Sequence, residues 1–137
     1  MIGLLALGLG GCASMSNDAS EESFESVARF VGTLPCIDCR IIRADLTLHR
    51  DPETGRPDKY FLQQTHVDAI GGDFTSTQWG DWRLMSTGES VYYHIESQAS
   101  PIVLRVEEEG QRLGWVADRE LSNMSASYEL MRTEPLR

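Results

Sequence analysis

Cys36 and Cys39 sit three residues apart in Pro35-Cys36-Ile37-Asp38-Cys39, behind a proline that fixes the backbone of the turn. Two thiols at this spacing admit three chemistries. A disulfide is favoured in an oxidising compartment. It would close a loop of about four residues, worth only about 2 kcal/mol by chain entropy. A pair of thiolates suits a soft ion such as copper(I), provided that the thiols stay reduced. Thiol–disulfide exchange needs a thiol with a lowered pKa, usually at a helix N-terminus. Here the second cysteine runs straight into strand residues, so that source of activation is not expected. The residue types alone leave the three readings open.

Other residues could join such a site. His49, His66 and His94 fall on or beside three different predicted strands, and neighbouring strands would gather them on one face. The simpler expectation is scattered surface histidines. Met85, Met124 and Met131 are candidate thioether ligands, although methionine in a small core usually fills gaps. Trp79, Trp82 and Trp115 read as core or barrel-mouth residues, and a small barrel can enclose a ligand cavity. The run Glu107-Glu108-Glu109 reads as a solvated turn. The sequence contains no Ser-His-Asp spacing, phosphate loop or zinc-protease motif, and no catalytic residue is assigned.

The elements that must position these side chains are strands. Ile42, Ala44, Leu46 and Leu48 alternate with Arg43, Asp45, Thr47 and His49, the period of a half-buried strand. Residues 50–58 hold two prolines, a glycine and two aspartates and read as a hairpin loop. Residues 59–67 are rich in aromatic and β-branched types, and Ile70-Gly71-Gly72-Asp73 turns the chain. Residues 74–84 form the next predicted strand, with a bend or bulge expected at Gly80. Further strands are expected over 91–96 and from Pro101 on, with Ile102, Leu104 and Val106 alternating with Val103, Arg105 and Glu107. A turn over 108–111, a short partner over 112–116 and a closing strand over 127–131 follow. Residues 117–125 read as a helical turn or a loop. Short strands separated by turns predict an all-β domain, a small antiparallel barrel ahead of a sandwich, because a barrel leaves no exposed edges.

The N-terminal part has a different character. Residues 2–11, IGLLALGLGG, are too short an apolar run to span a bilayer, which takes about 20 residues. They suit the apolar region of a secretory signal. Leu9-Gly10-Gly11-Cys12 resembles the bacterial lipobox, which implies lipidation of Cys12 as the mature N-terminus. No Lys or Arg precedes the run, which fits a truncated signal or an internal start at Met1. Ala13 after the cysteine points to the outer membrane rather than retention in the inner one. Residues 13–25 are small, polar and acidic, cannot bury enough apolar area to order themselves, and read as a flexible tether. A short helix over 21–30 is the alternative, with Phe24, Val27 and Phe30 at helical spacing. The tether spans about 40 Å at full extension and about 20 Å as a coil. The expected organisation is a signal over 1–12, the tether over 13–25, a barrel domain over 26–132 and a tail over 133–137.

The chain has 137 residues and a formal net charge of −9, without a cluster of Lys or Arg. That excludes the concentrated basic face that nucleic acid requires. It also opposes adhesion to anionic lipid by charge alone, so attachment to a membrane would need an anchor.

The segment Phe30-x-Gly32-Thr33-Leu34-Pro35-Cys36-x-Asp38-Cys39 resembles the start of the NlpE N-terminal domain. Weaker similarities follow at Thr47-Leu48, Phe74-Thr75-Ser76 with Gly80-x-Trp82, Gly110, and Tyr128-x-Leu130-x-Arg132. The family consists of bacterial outer-membrane lipoproteins linked to copper tolerance, surface sensing and envelope-stress signalling. The resemblance implies a lipocalin-like antiparallel β-barrel facing the periplasm. It implies a lipid-anchored, non-catalytic protein that senses the envelope through a protein partner or serves copper homeostasis. The alternative is a small-ligand or copper(I) carrier that uses the barrel cavity or the pair Cys36 and Cys39. Copper is accordingly the one cofactor to test.

Overall fold

The computed structural model describes residues 26–97, 101–116 and 128–136. Eight strands follow one another: β1 (Val27–Leu34), β2 (Ile41–Arg50), β3 (Pro57–Val67), β4 (Phe74–Thr87), β5 (Ser90–Ile95), β6 (Ile102–Glu107), β7 (Arg112–Trp115) and β8 (Glu129–Thr133). Each pairs antiparallel with the next, and β8 returns to β1, so the sheet closes into an up-and-down barrel. The all-β barrel expected from strand spacing is the observed fold. Full closure leaves the first and last strands with partners, as in eight-stranded lipocalin barrels.

Period-two alternation decides what enters the barrel. Ile42, Ala44, Leu46 and Leu48 are all buried, whereas Arg43 is exposed. Their partners across the sheet point the same way, since Phe30 pairs with Leu46 and Leu62 pairs with Leu46 from the other side. Trp82, Ile95, Leu104, Leu113 and Leu130 complete one contiguous core with Phe30, Tyr60 and Leu62. Closure between β1 and β8 depends on Gly32, which pairs with Leu130. A Cβ there would stand 2.0 Å from the Glu129 carbonyl oxygen, far inside contact distance.

Gly80 carries no bulge. The register between β3 and β4 runs unbroken through the Tyr60–Gly80 pair, and the Tyr60 ring packs over the glycine. The chain instead changes partners there: β4 pairs with β3 through Asp81 and with β5 from Trp82 onward. The register irregularity lies between Leu48 and Arg50, where β2 enters the loop to β3. Residues 27–30 belong to β1 and are not helical; 21–25, the rest of the alternative helix, lie outside the described residues. The signal, Cys12, the tether and the ambiguous 117–125 also lie outside them.

The acidic run is only partly solvated. Glu107 accepts hydrogen bonds from Arg105 and Arg112, which hold its carboxyl below the usual range. Glu108 and Glu109 take left-handed backbone in the turn that follows, and Gly110 continues it.

Candidate functional site

The loops β1–β2 and β3–β4 lie at one end of the barrel, and the chain enters from the other. Ser26, just before β1, accepts a hydrogen bond from Arg50 N at 2.8 Å beside the β2–β3 loop. β1 is eight residues long, so the two ends stand about 26 Å apart along the strand at about 3.3 Å per residue. At the far end Cys36 and Cys39 form a disulfide, with sulfurs 2.01 Å apart. The two loops are joined by Arg40 N donating to Val67 O at 2.8 Å and by an Arg40–Asp68 ion pair at 3.4 Å. Both loops present an aliphatic side chain to solvent: Ile37 is 91% exposed and Ile70 95% exposed.

The surroundings of the two sulfurs differ. Asp38 Oδ1 lies 3.5 Å from Cys36 Sγ. Cys39 Sγ lies 3.6 Å from Ile41 O and 4.0 Å from His66 Nδ1. The His66 ring is held in place from two sides. It stacks on Phe74 with centroids 4.4 Å apart and planes within 4°, and its Nε2 lies 3.4 Å from Ser76 Oγ. Cys36, Cys39 and His66 each offer a ligand atom within 4.8 Å of the other two.

His66 belongs to a polar lining of the barrel wall. Tyr60, Leu62, Gln64 and His66 share one face of β3, opposite Gly80, Gln78, Ser76 and Phe74 on β4. Gln78 Nε2 donates to Gln64 Oε1 at 3.0 Å, and Tyr60 donates to the carbonyl of Glu96. Burial, and then the charge of Glu96, pushes the Tyr60 phenol above its ordinary pKa. An open cleft of about 500 Å³ lies here, lined by Tyr60, Thr77, Gln78, Trp79, Glu96 and Ser97.

The structure thus brings one histidine of three to the cysteines. His94 pairs across β5 and β6 with Val103 and faces Arg83, and His49 sits at the chain-entry end. Met85 and Met131 are exposed rather than gap-filling, while Met124 lies outside the described residues. Trp79 is 71% exposed and lines the open cleft rather than joining the core; Trp82 is buried, and Trp115 packs against the core.

Copper, the ion that the resemblance suggests, meets a donor set that fits in one redox state. In the disulfide the sulfurs are bonded to each other and offer no thiolate. As reduced thiols they would supply two soft donors, with the His66 imidazole as a third.

No curated protein and no solved structure matches the chain significantly. The family model of the NlpE N-terminal domain matches residues 30–128, from within β1 to the residue before β8. The chain therefore belongs to the NlpE N-terminal domain family, a family of bacterial envelope lipoproteins.

Proposed function

We propose that this protein is a lipid-anchored, non-catalytic lipoprotein of the outer membrane that senses envelope stress or surface contact by presenting the disulfide end of its barrel to a protein partner. One observation carries the reading: chain entry and the disulfide lie at opposite ends of a barrel whose middle is filled with side chains. A barrel held through Cys12 and residues 13–25 would present the Ile37 and Ile70 loops away from its own bilayer. A filled core leaves less room for a carried ligand than for contact at the rim. The expected reach of the tether, about 20 Å as a coil, keeps the barrel near that bilayer. Signalling to an inner-membrane partner would follow release or relocation.

Two substitutions test this. Cys12→Ala should move the protein from the membrane to the soluble envelope fraction; unchanged pelleting would overturn the anchor. Ala13→Asp, in a host that reads that residue as an inner-membrane retention signal, should raise envelope-stress output. Unchanged output with confirmed relocation would overturn the sensing role.

A second reading, a copper(I) carrier, is favoured by the convergence of Cys36, Cys39 and His66. It needs the disulfide to be reduced first.

A further inference from the structure

We infer that His66 is the third ligand of a redox-gated site for a soft metal ion, closed while Cys36 and Cys39 are bonded and opened by their reduction. The inference rests on the carrier reading and deepens it, and it is independent of the tether and anchor.

The geometry selects one ring nitrogen. Bond lengths of about 2.3 Å to sulfur and about 2.0 Å to imidazole nitrogen, as for zinc, place two donors of one ion about 3.5–4.4 Å apart. Cys39 Sγ and His66 Nδ1 already stand 4.0 Å apart. The other nitrogen faces the Ser76 hydroxyl. That hydroxyl can accept from Nε2–H, and in that tautomer the Nδ1 lone pair is free on the side of the sulfur, as a metal-bound histidine requires. The parallel Phe74 ring holds the imidazole plane, so little ordering remains to be done when an ion arrives.

The gate is the sulfur–sulfur bond. Two small thiols, or one protein dithiol, supply two electrons and two protons. The Cys36–Cys39 bond breaks, two S–H groups form, and the donor leaves as its own disulfide. An incoming ion then displaces the thiol protons to solvent and binds two thiolates with the imidazole. Two thiolates and one imidazole favour copper(I) over the hard ions that prefer oxygen donors. Asp38, 3.5 Å from Cys36 Sγ, adds negative charge at the mouth without matching the softness of such an ion.

The test is anaerobic titration of the full chain with copper(I) against a competing chelator, in the reduced and the disulfide forms. The reduced protein should bind one ion, and the disulfide form should compete at least tenfold less well. His66→Ala should weaken binding by the reduced form at least tenfold while leaving the melting temperature of the disulfide form within a few degrees. If the reduced wild type fails to retain copper(I), both the inference and the carrier reading fall. If it binds and His66→Ala binds equally well, the carrier survives and the third ligand is wrong. Equal binding by the disulfide form would overturn the gate. Nitrogen NMR of the wild type supplies a readout that does not depend on a variant folding. Copper(I) should shift Nδ1 of His66 far more than Nε2, and a larger shift at Nε2 would overturn the assignment.

Discussion

A single face of β3 carries two regions with opposite chemistry. Tyr60 and Leu62 are buried, while Gln64 and His66, the next two residues on that face, are half-buried and polar. The strand geometry is the same throughout. The difference lies in what stands opposite. Leu62 belongs to a core closed by Trp82, Leu104, Leu113 and Leu130. Gln64 and His66 lie outside that core, beyond Leu62 toward the disulfide end, and pair across β4 with Ser76 and Phe74. The apolar region holds the barrel together. The polar region is half-buried, hydrogen-bonded and adjacent to the disulfide.

The comparison breaks most readily at Trp82. Trp82→Ala removes a buried ring, its Nε1 hydrogen bond to His49 O at 2.9 Å and the Arg50 guanidinium 5.0 Å above the ring. Its unfolding free energy in urea should fall by about 3–5 kcal/mol. A loss below about 1 kcal/mol would mean that the core does not carry the fold. Gly32→Ala comes next. The added Cβ must push β8 away, at a cost of about 1–3 kcal/mol. Faster amide exchange on β8 than on β3 would locate the damage at the closing seam, and uniform exchange would not.

The polar end should respond less. Cys36→Ser with Cys39→Ser removes a four-residue loop closure, and the barrel should lose only about 2 kcal/mol while keeping its β-type circular dichroism. Loss of the fold would show that the disulfide is part of the scaffold. Gln64→Leu with Gln78→Leu replaces both partners of one hydrogen bond at once, which can be nearly neutral. A change within about 1 kcal/mol in urea fits the comparison; a larger loss would make the polar wall structural too.

Much of the fold was legible because its signals are local. The alternation from Ile42 to Leu48 and the turn glycines mark the strands and their ends. Trp79 and Trp82 were not separable by type, since three residues along a strand reverses the face and only the partner strands say which face is covered. At Gly80 a bulge was not to be told apart from a close contact for a related reason: the glycine makes room for the Tyr60 ring, a contact between strands. His66 reaches Cys39 through register, with Ile42 paired to His66. A signal for it did exist. A hairpin centred on residue 54, in the proline–glycine loop, folds Ile42 onto His66, so symmetric pairing about that loop would have found the third ligand.

The claim that the disulfide end is the working surface is tested most directly by Ile37→Asp with Ile70→Asp. Both side chains are almost fully exposed, so the variant should keep the wild-type melting temperature, abundance and membrane fraction. The measurement is envelope-stress output in cells under a surface-contact stimulus. The account predicts a fall to the level of cells lacking the protein. A full response from the folded, membrane-bound variant would contradict it.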